Sequence, residues 1–284
     1  MTAENPLSKY YRQPSVYITL PSKGRYYDST VLKTTETGEL PVLPMNAKDE
    51  LTFKTPDAMM SGQATVDVIK SCIPNILDPW RLVNYDLDTV LLAIRIASYG
   101  ESMDVTFNVP VINEKVSHSV NLPALLESVT SVSITDEAKT TAGFVIKFRP
   151  LTFKEITKNQ VAAFQQQKTY ANVLASSATD EEKSKKFAES FKALTDLNFD
   201  VLLNGIESIT TPDGDTVTDS KSIDEFISNS DSRLVTEIQD KLTQIRAQAS
   251  FKPLSFKSTE EQINKGAPVN YEVPLTFDNS NFFG

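Results

Sequence analysis

The residues able to do chemistry are few and far apart. The 284-residue chain holds one cysteine, Cys72, and one histidine, His118. A cysteine nucleophile needs a base or cation beside it, and a zinc site needs three or four His, Cys or carboxylate ligands. An inventory of one of each nearly forbids both. Cys72 stands between Ser71 and Ile73 on a stretch of helical period, the place of a small buried hydrophobe. His118 alternates with Ser117 and Ser119 at strand period, the place of a hairpin flank. Asp213-Gly214-Asp215 with Asp219 puts acids near a glycine. A calcium loop needs acids at alternating positions and a distal glutamate, so a hairpin turn is expected instead. The acid pairs Asp86 with Asp88 and Glu181 with Glu182 fall at predicted helix starts, where the dipole favours negative charge. Lys23-Gly24 is preceded only by Pro21-Ser22 and makes no phosphate loop. The expectation is no catalytic, cofactor-binding or metal site.

Charge and composition narrow the classes further. Asp and Glu outnumber Lys and Arg by 37 to 28, a net charge of −9 that opposes binding to a polyanion, so no nucleic-acid partner is expected. The densest basic group, Lys183, Lys185 and Lys186, follows Asp180, Glu181 and Glu182 and reads as a solvated helix start. No apolar run approaches the ~18 residues of a membrane span, so no membrane partner is expected. The first residues, MTAENPLSKYYRQPS, lack the apolar run of a secretory signal, and a single cysteine fits a reducing compartment. A cytosolic protein of one large or two modest domains is the expectation.

The elements that must position these residues can be placed by period and by their start and stop signals. Residues 1–55 read as an extended arm: Val16 to Leu20 alternate as a strand before the Pro21–Gly24 turn, and Pro41 and Pro44 make Leu40–Pro44 an edge. This arm carries Tyr10, Tyr11, Tyr17, Tyr26 and Tyr27, which either cover the chain's own core or dock on a neighbour. Residues 56–150 read as a core of two helices and β-hairpins. Thr55-Pro56-Asp57 starts a helix to about Ile73, and the Asp78-Pro79-Trp80 turn separates it from a second. Asp86 is expected to cap that second helix, whose Leu87, Val90, Leu91, Ile94 and Ala97 share a face until Tyr99-Gly100. A hairpin follows over about 103–120, then a Pro123–Leu126 turn and a strand pair at 132–135 and 144–148.

Residues 151–250 read as helical. A capping box at Thr152 and Glu155 starts one long helix, and Phe187, Phe191, Leu194, Asn198 and Val201 mark a second from about Asp180. A small hairpin at 206–217, a second box at Ser222-Ile223-Asp224-Glu225 and a final amphipathic helix to Ala249 complete this region. Residues 251–284 turn extended again and end in Phe282 and Phe283. Pro150-Leu151-Thr152-Phe153 returns as Pro253 to Phe256 and as Pro274 to Phe277, in each case a strand end followed by a cap. The fold class expected is α+β: central helices with β-hairpins, a long helical hairpin insertion and extended N- and C-terminal arms.

Several segments together resemble the baseplate hub protein family of contractile-tailed bacteriophages of the T-even type. They are Tyr17–Gly24, Leu40–Met45, Asp49–Asp57, Ile69–Ile76, Asp86–Asp88, Leu91–Glu101 and Pro274–Asp278 with Phe282-Phe283. The resemblance is dense over residues 14–110. It implies a non-enzymatic structural or assembly protein of the hub that binds other tail and baseplate proteins, is made in the host bacterial cytoplasm and takes a place in the virion tail. The alternatives are an assembly chaperone absent from the mature particle and, further off, a tail-associated hydrolase. The candidate interface residues of the chain are Tyr10, Tyr11, Tyr17, Leu20, Tyr26, Tyr27, Trp80, Phe282 and Phe283. Copy number and oligomeric state stay open. Relatives of this kind place cysteines in a zinc-ribbon-like pattern, and this sequence has Val109, Val111 and Lys265–Pro268 there, so no cofactor or metal is carried over. If the ribbon shape persists without zinc, Tyr271–Phe277 should lie by the 105–120 hairpin.

Overall fold

The structure is a computed structural model that describes residues 5–54, 61–175, 179–248 and 250–274. It is an α+β fold, as expected, and the chain divides into two compact units. One unit spans Met1–Pro79, Asp86–Val132 and Ala249–Gly284, and the other Trp80–Tyr85 and Ser133–Gln248.

The first unit opens with strand β1 (Val16–Ile18) antiparallel to β2 (Leu40–Val42), Tyr17 opposite Pro41. Ile18, Leu20, Val31, Leu32, Leu40 and Val42 are buried, so this stretch covers the unit's core. Residues 47–53 are helical rather than extended. Helix α1 (Ala47–Phe53) is nucleated by a capping box in which Asn46 accepts the Asp49 N–H and Asp49 accepts the Asn46 N–H. The expected start at Thr55-Pro56-Asp57 lies outside the described residues. Helix α2 (Gln63–Cys72) buries Val66, Val68, Ile69 and Cys72. Helix α3 (Asn84–Tyr99) is apolar on more than one face: Leu87, Val90, Leu91, Leu92, Ala93, Ile94 and Ile96 are all buried. A helix buried all round sits at the centre of its core. Gly100, at φ 94°, ends it in the left-handed region where a side chain would be strained.

Strands β3 (Ser102–Asn108) and β4 (Lys115–Asn121) form the predicted hairpin. After it comes a helix, α4 (Leu122–Thr130), where a turn was expected. Pro123 stands in the first turn, where its missing N–H costs nothing, and the Asn121 side chain accepts the Ala124 N–H. Later in the chain β9 (Leu254–Lys257) pairs antiparallel with β10 (Asn270–Val273). A short helix, Glu260–Asn264, separates them behind a Thr259–Gln262 capping box. The second proline-leucine-hydroxyl-phenylalanine pattern thus lies within β9 and caps nothing; all of the third but Pro274 lies outside the described residues.

The second unit holds a four-stranded sheet of order β5 (Glu137–Lys139), β6 (Val145–Phe148), β7 (Ile206–Thr210) and β8 (Thr216–Val217). The first strand begins later than expected because the Thr135 N–H is given to the Gln248 side chain instead of a ladder. Helices α5 (Phe153–Ala175) and α6 (Asp180–Asn204) pair as the predicted αα-hairpin. Each starts at a capping box, Thr152 with Glu155 and Thr179 with Glu182. Helix α7 (Ser220–Asn229) starts earlier than the Ser222 box predicts: Asp219 is its cap, accepting both the N–H and the hydroxyl of Ser222. Helix α8 (Ser232–Gln248) closes the core, where Ile146, Phe148, Ile209, Ile227, Ile238 and Leu242 meet. Phe191 shares the apolar period of its helix yet is 70% exposed.

Candidate protein interface

Cys72 and His118 both pack against their own chain. Cys72 is fully buried, and its Sγ lies 3.8 Å from the Arg12 guanidinium. Burial pushes the Cys72 thiol up to about 12, Asp49 adds to this, and Arg12 only partly opposes it. A thiol so held is not a nucleophile near neutral pH. The His118 ring stacks on Phe107 at 5.6 Å and lies tilted 4.5 Å from Phe256. Asp213 and Asp215 are exposed on a turn closed by Gly214 N–H to the Thr211 carbonyl and by Asp215 N–H to the Thr211 Oγ1. Among the described residues no three His, Cys, Asp or Glu converge as metal ligands.

Asp86 was expected to cap a helix and does something else. It is fully buried in the first turn of α3, accepting the Ser22 N–H at 2.9 Å, the Ser22 hydroxyl, and the Tyr27 hydroxyl at 2.6 Å. Burial raises its carboxyl, and the Ser22 and Tyr27 bonds partly offset the rise. The carboxylate therefore pins the 21–27 turn to the central helix. Its neighbour Asp88 carries only the burial effect, which lifts it to about 6.

The predicted interface residues divide between inside and outside. Leu20 is a core residue, Tyr27 is bonded to Asp86, and Trp80 stacks on Phe153 at 5.2 Å, so these face their own chain. Tyr26 is half-buried, with the Arg25 guanidinium over its ring. Phe282 and Phe283 lie outside the described residues. Tyr10, Tyr11 and Tyr17 are 74%, 57% and 60% exposed, and Leu7 beside them is 63% exposed. What holds this segment is Arg12. Its guanidinium donates to the Pro44 carbonyl, to the Ser71 carbonyl and hydroxyl, and to Asp49 at 3.1 Å, itself buried. One arginine thus ties the arm to the end of β2, to α1 and to the end of α2. Nothing in the spacing of the sequence announces this, because its partners stand 32 to 60 residues away.

In the same unit, β9 and β10 lie against β3 and β4. Phe107 is 4.7 Å from Phe256 and 6.0 Å from Tyr271, and Val109, Ala267 and Tyr271 are buried together. The partner strand of β10 is β9, while the 105–120 hairpin supplies the packing face. Val109 and Ala267 present hydrocarbon where a zinc ribbon needs sulfur, so these residues do not fit a zinc ion.

A family described as T4 bacteriophage base plate protein matches residues 18–265. The chain belongs to that family. No curated protein and no solved structure matches it. In this baseplate protein no described helix is long and apolar enough to cross a membrane. The match begins after Tyr10, Tyr11 and Tyr17, so this exposed apolar stretch precedes it.

Proposed function

We propose that this baseplate protein is a non-enzymatic part of the baseplate hub, acting by binding other tail proteins through its exposed N-terminal segment. The observation that carries the reading is the run of Leu7, Tyr10, Tyr11 and Tyr17, held on the surface of a folded unit by Arg12. Tyrosine is favoured in interface cores because it buries a large ring while keeping its hydroxyl hydrated at the edge. The structural duties of Cys72, His118 and Asp86 support a non-catalytic role. Hub assembly takes place in the host cytoplasm in this reading.

Mass spectrometry of purified virions tests the place of the protein. Copies in the particle support a hub component, and none supports an assembly chaperone. The mode of action is tested by pull-down of purified tail proteins on the full chain and on the triple variant Tyr10→Ala, Tyr11→Ala, Tyr17→Ala. The variant should lose at least tenfold in binding. Equal binding by both would remove the N-terminal segment from the interface.

A further inference from the structure

Two open strand edges of the first unit border one groove. In an antiparallel ladder, residues turn their N–H and C=O alternately toward the partner strand and away from it. The β9–β10 ladder is fixed by the Ser258 N–H, which donates to the Val269 carbonyl at 3.0 Å. Counting back along β9, Phe256 and Leu254 face β10, whereas Ser255 and Lys257 face away. The β3–β4 ladder is bracketed by Val109 N–H to the Glu114 carbonyl and Leu122 N–H to the Glu101 carbonyl, both 2.9 Å. The backbone groups of Ser117 and Ser119 therefore turn away from β3. Each ribbon has two strands, so among the described residues neither of these edges is paired with a further strand.

The groove measures about 410 Å³, within the ~300–1,000 Å³ range of occupied pockets. Val120, Leu125, Leu254 and Phe256 line it with hydrocarbon, Ser119 and Ser255 stand at its strand edges, and Lys252 is its one charged lining residue. The described chain stops beside it: Val273, the last residue of β10, is paired with Leu254 of the groove, and Pro274 follows. Ten further residues of the sequence, Leu275 to Gly284, can reach about 33 Å when extended. Leu275 and Phe277 alternate with Thr276 at strand period, and Asp278 is the one charged residue of the segment, opposite in sign to Lys252.

We infer that residues 275–284 turn back over the Leu254 end of β9 and lie along its open edge as a third strand, with Leu275 and Phe277 in the groove between β9, β4 and α4. The segment supplies what the groove lacks: backbone partners for Ser255 and Lys257, apolar side chains for Val120 and Phe256, and an acid for Lys252. Tethered two residues from a groove residue's partner, it is present there at an effective concentration on the order of millimolar, which any other occupant would have to match. An uncovered edge is a template for pairing with other chains, and the segment removes that template. The contact does not involve the N-terminal tyrosines and holds whatever they bind.

Amide hydrogen exchange of the full chain, read residue by residue, tests this. The Ser255 and Lys257 N–H groups should exchange at least about tenfold more slowly in the wild type than in the double variant Leu275→Asp, Phe277→Asp. The Leu254 and Phe256 N–H groups, bonded to β10, should be equally slow in both proteins, which separates a displaced segment from a lost fold. A free peptide of residues 275–284 should restore the protection of Ser255 and Lys257 to the variant and leave the wild type unchanged. Rapid exchange of Ser255 and Lys257 in the wild type, or equal rates in the two proteins, overturns the inference. Protection that falls on dilution overturns it as well, because it gives the groove to a second copy.

Discussion

Asp88 lies two residues beyond a carboxylate with three donors, yet its own shift comes from burial alone. Its folded-state pKa of about 6 lies above the ordinary 3.8, so between these values the folded chain binds the proton more tightly than the unfolded one. The benefit is fully present below pH 3.8 and is lost as pH rises through about 6. Asp88→Asn, which stays neutral, should therefore stabilise the protein at pH 7 by up to about 3 kcal/mol relative to wild type and do nothing near pH 3.5. Urea titrations of both proteins across this range check it; an advantage that does not grow with pH contradicts the assignment. Asp86→Asn should behave differently, because there the carboxylate also receives Ser22 and Tyr27. At this scale the sequence was informative about where Cys72 and His118 stand, one buried on a helix and the other on a hairpin strand. It was silent about Arg12 and Asp86, whose work depends on partners brought together only by the fold.

Some elements were read from a local code, whereas the Asn46–Asp49 and Thr259–Gln262 capping boxes stood in stretches read as extended. The Thr152–Glu155 box and the apolar period of α8 lie within a few residues, and both elements stand where they were expected. Helix α4 was missed because Pro123 reads as a turn until its position in the helix is known. Strand β5 was misplaced because the Gln248 side chain, more than a hundred residues on, takes the Thr135 N–H. The loop joining β3 to β4 holds a feature that no period could show: Val111 at φ 71° and Asn113 at φ 52°. Asparagine tolerates the left-handed region, but a β-branched residue there is strained by about 1–3 kcal/mol. Val111 is 76% exposed, so little packing is lost on truncation. Val111→Gly should raise the urea midpoint by a margin equal to about 1 kcal/mol, the strain relieved less the extra freedom gained by the unfolded chain. A lower midpoint would mean that the valine side chain contributes more than its exposure suggests.

At the scale of the whole chain, each unit carries a core of its own, around α3 in one and around Ile146, Phe148 and Ile238 in the other. Ile238→Ala removes a fully buried side chain and should cost the second unit about 3 kcal/mol. Hydrogen exchange should then show β6 and β7 losing protection while α3 and β3 keep theirs. Equal loss in both would mean that the chain opens as one cooperative body. The return of the chain after residue 250 to the hairpin at 102–121 was expected from the ribbon shape that the resemblance implies and not from period or composition, because residues 133–248 stand between the two in sequence.

That return has a consequence for timing. The second unit is complete once residue 248 is made, whereas the first still lacks β9 and β10. On a growing chain, Arg12 can find Ser71 early, but the face around Phe107 stays open until Tyr271 leaves the ribosome. The unit that displays the tyrosines is therefore the last to close. Nascent chains lying side by side on one message meet with that face unfinished, and a mature surface is offered to partners only after synthesis has passed it.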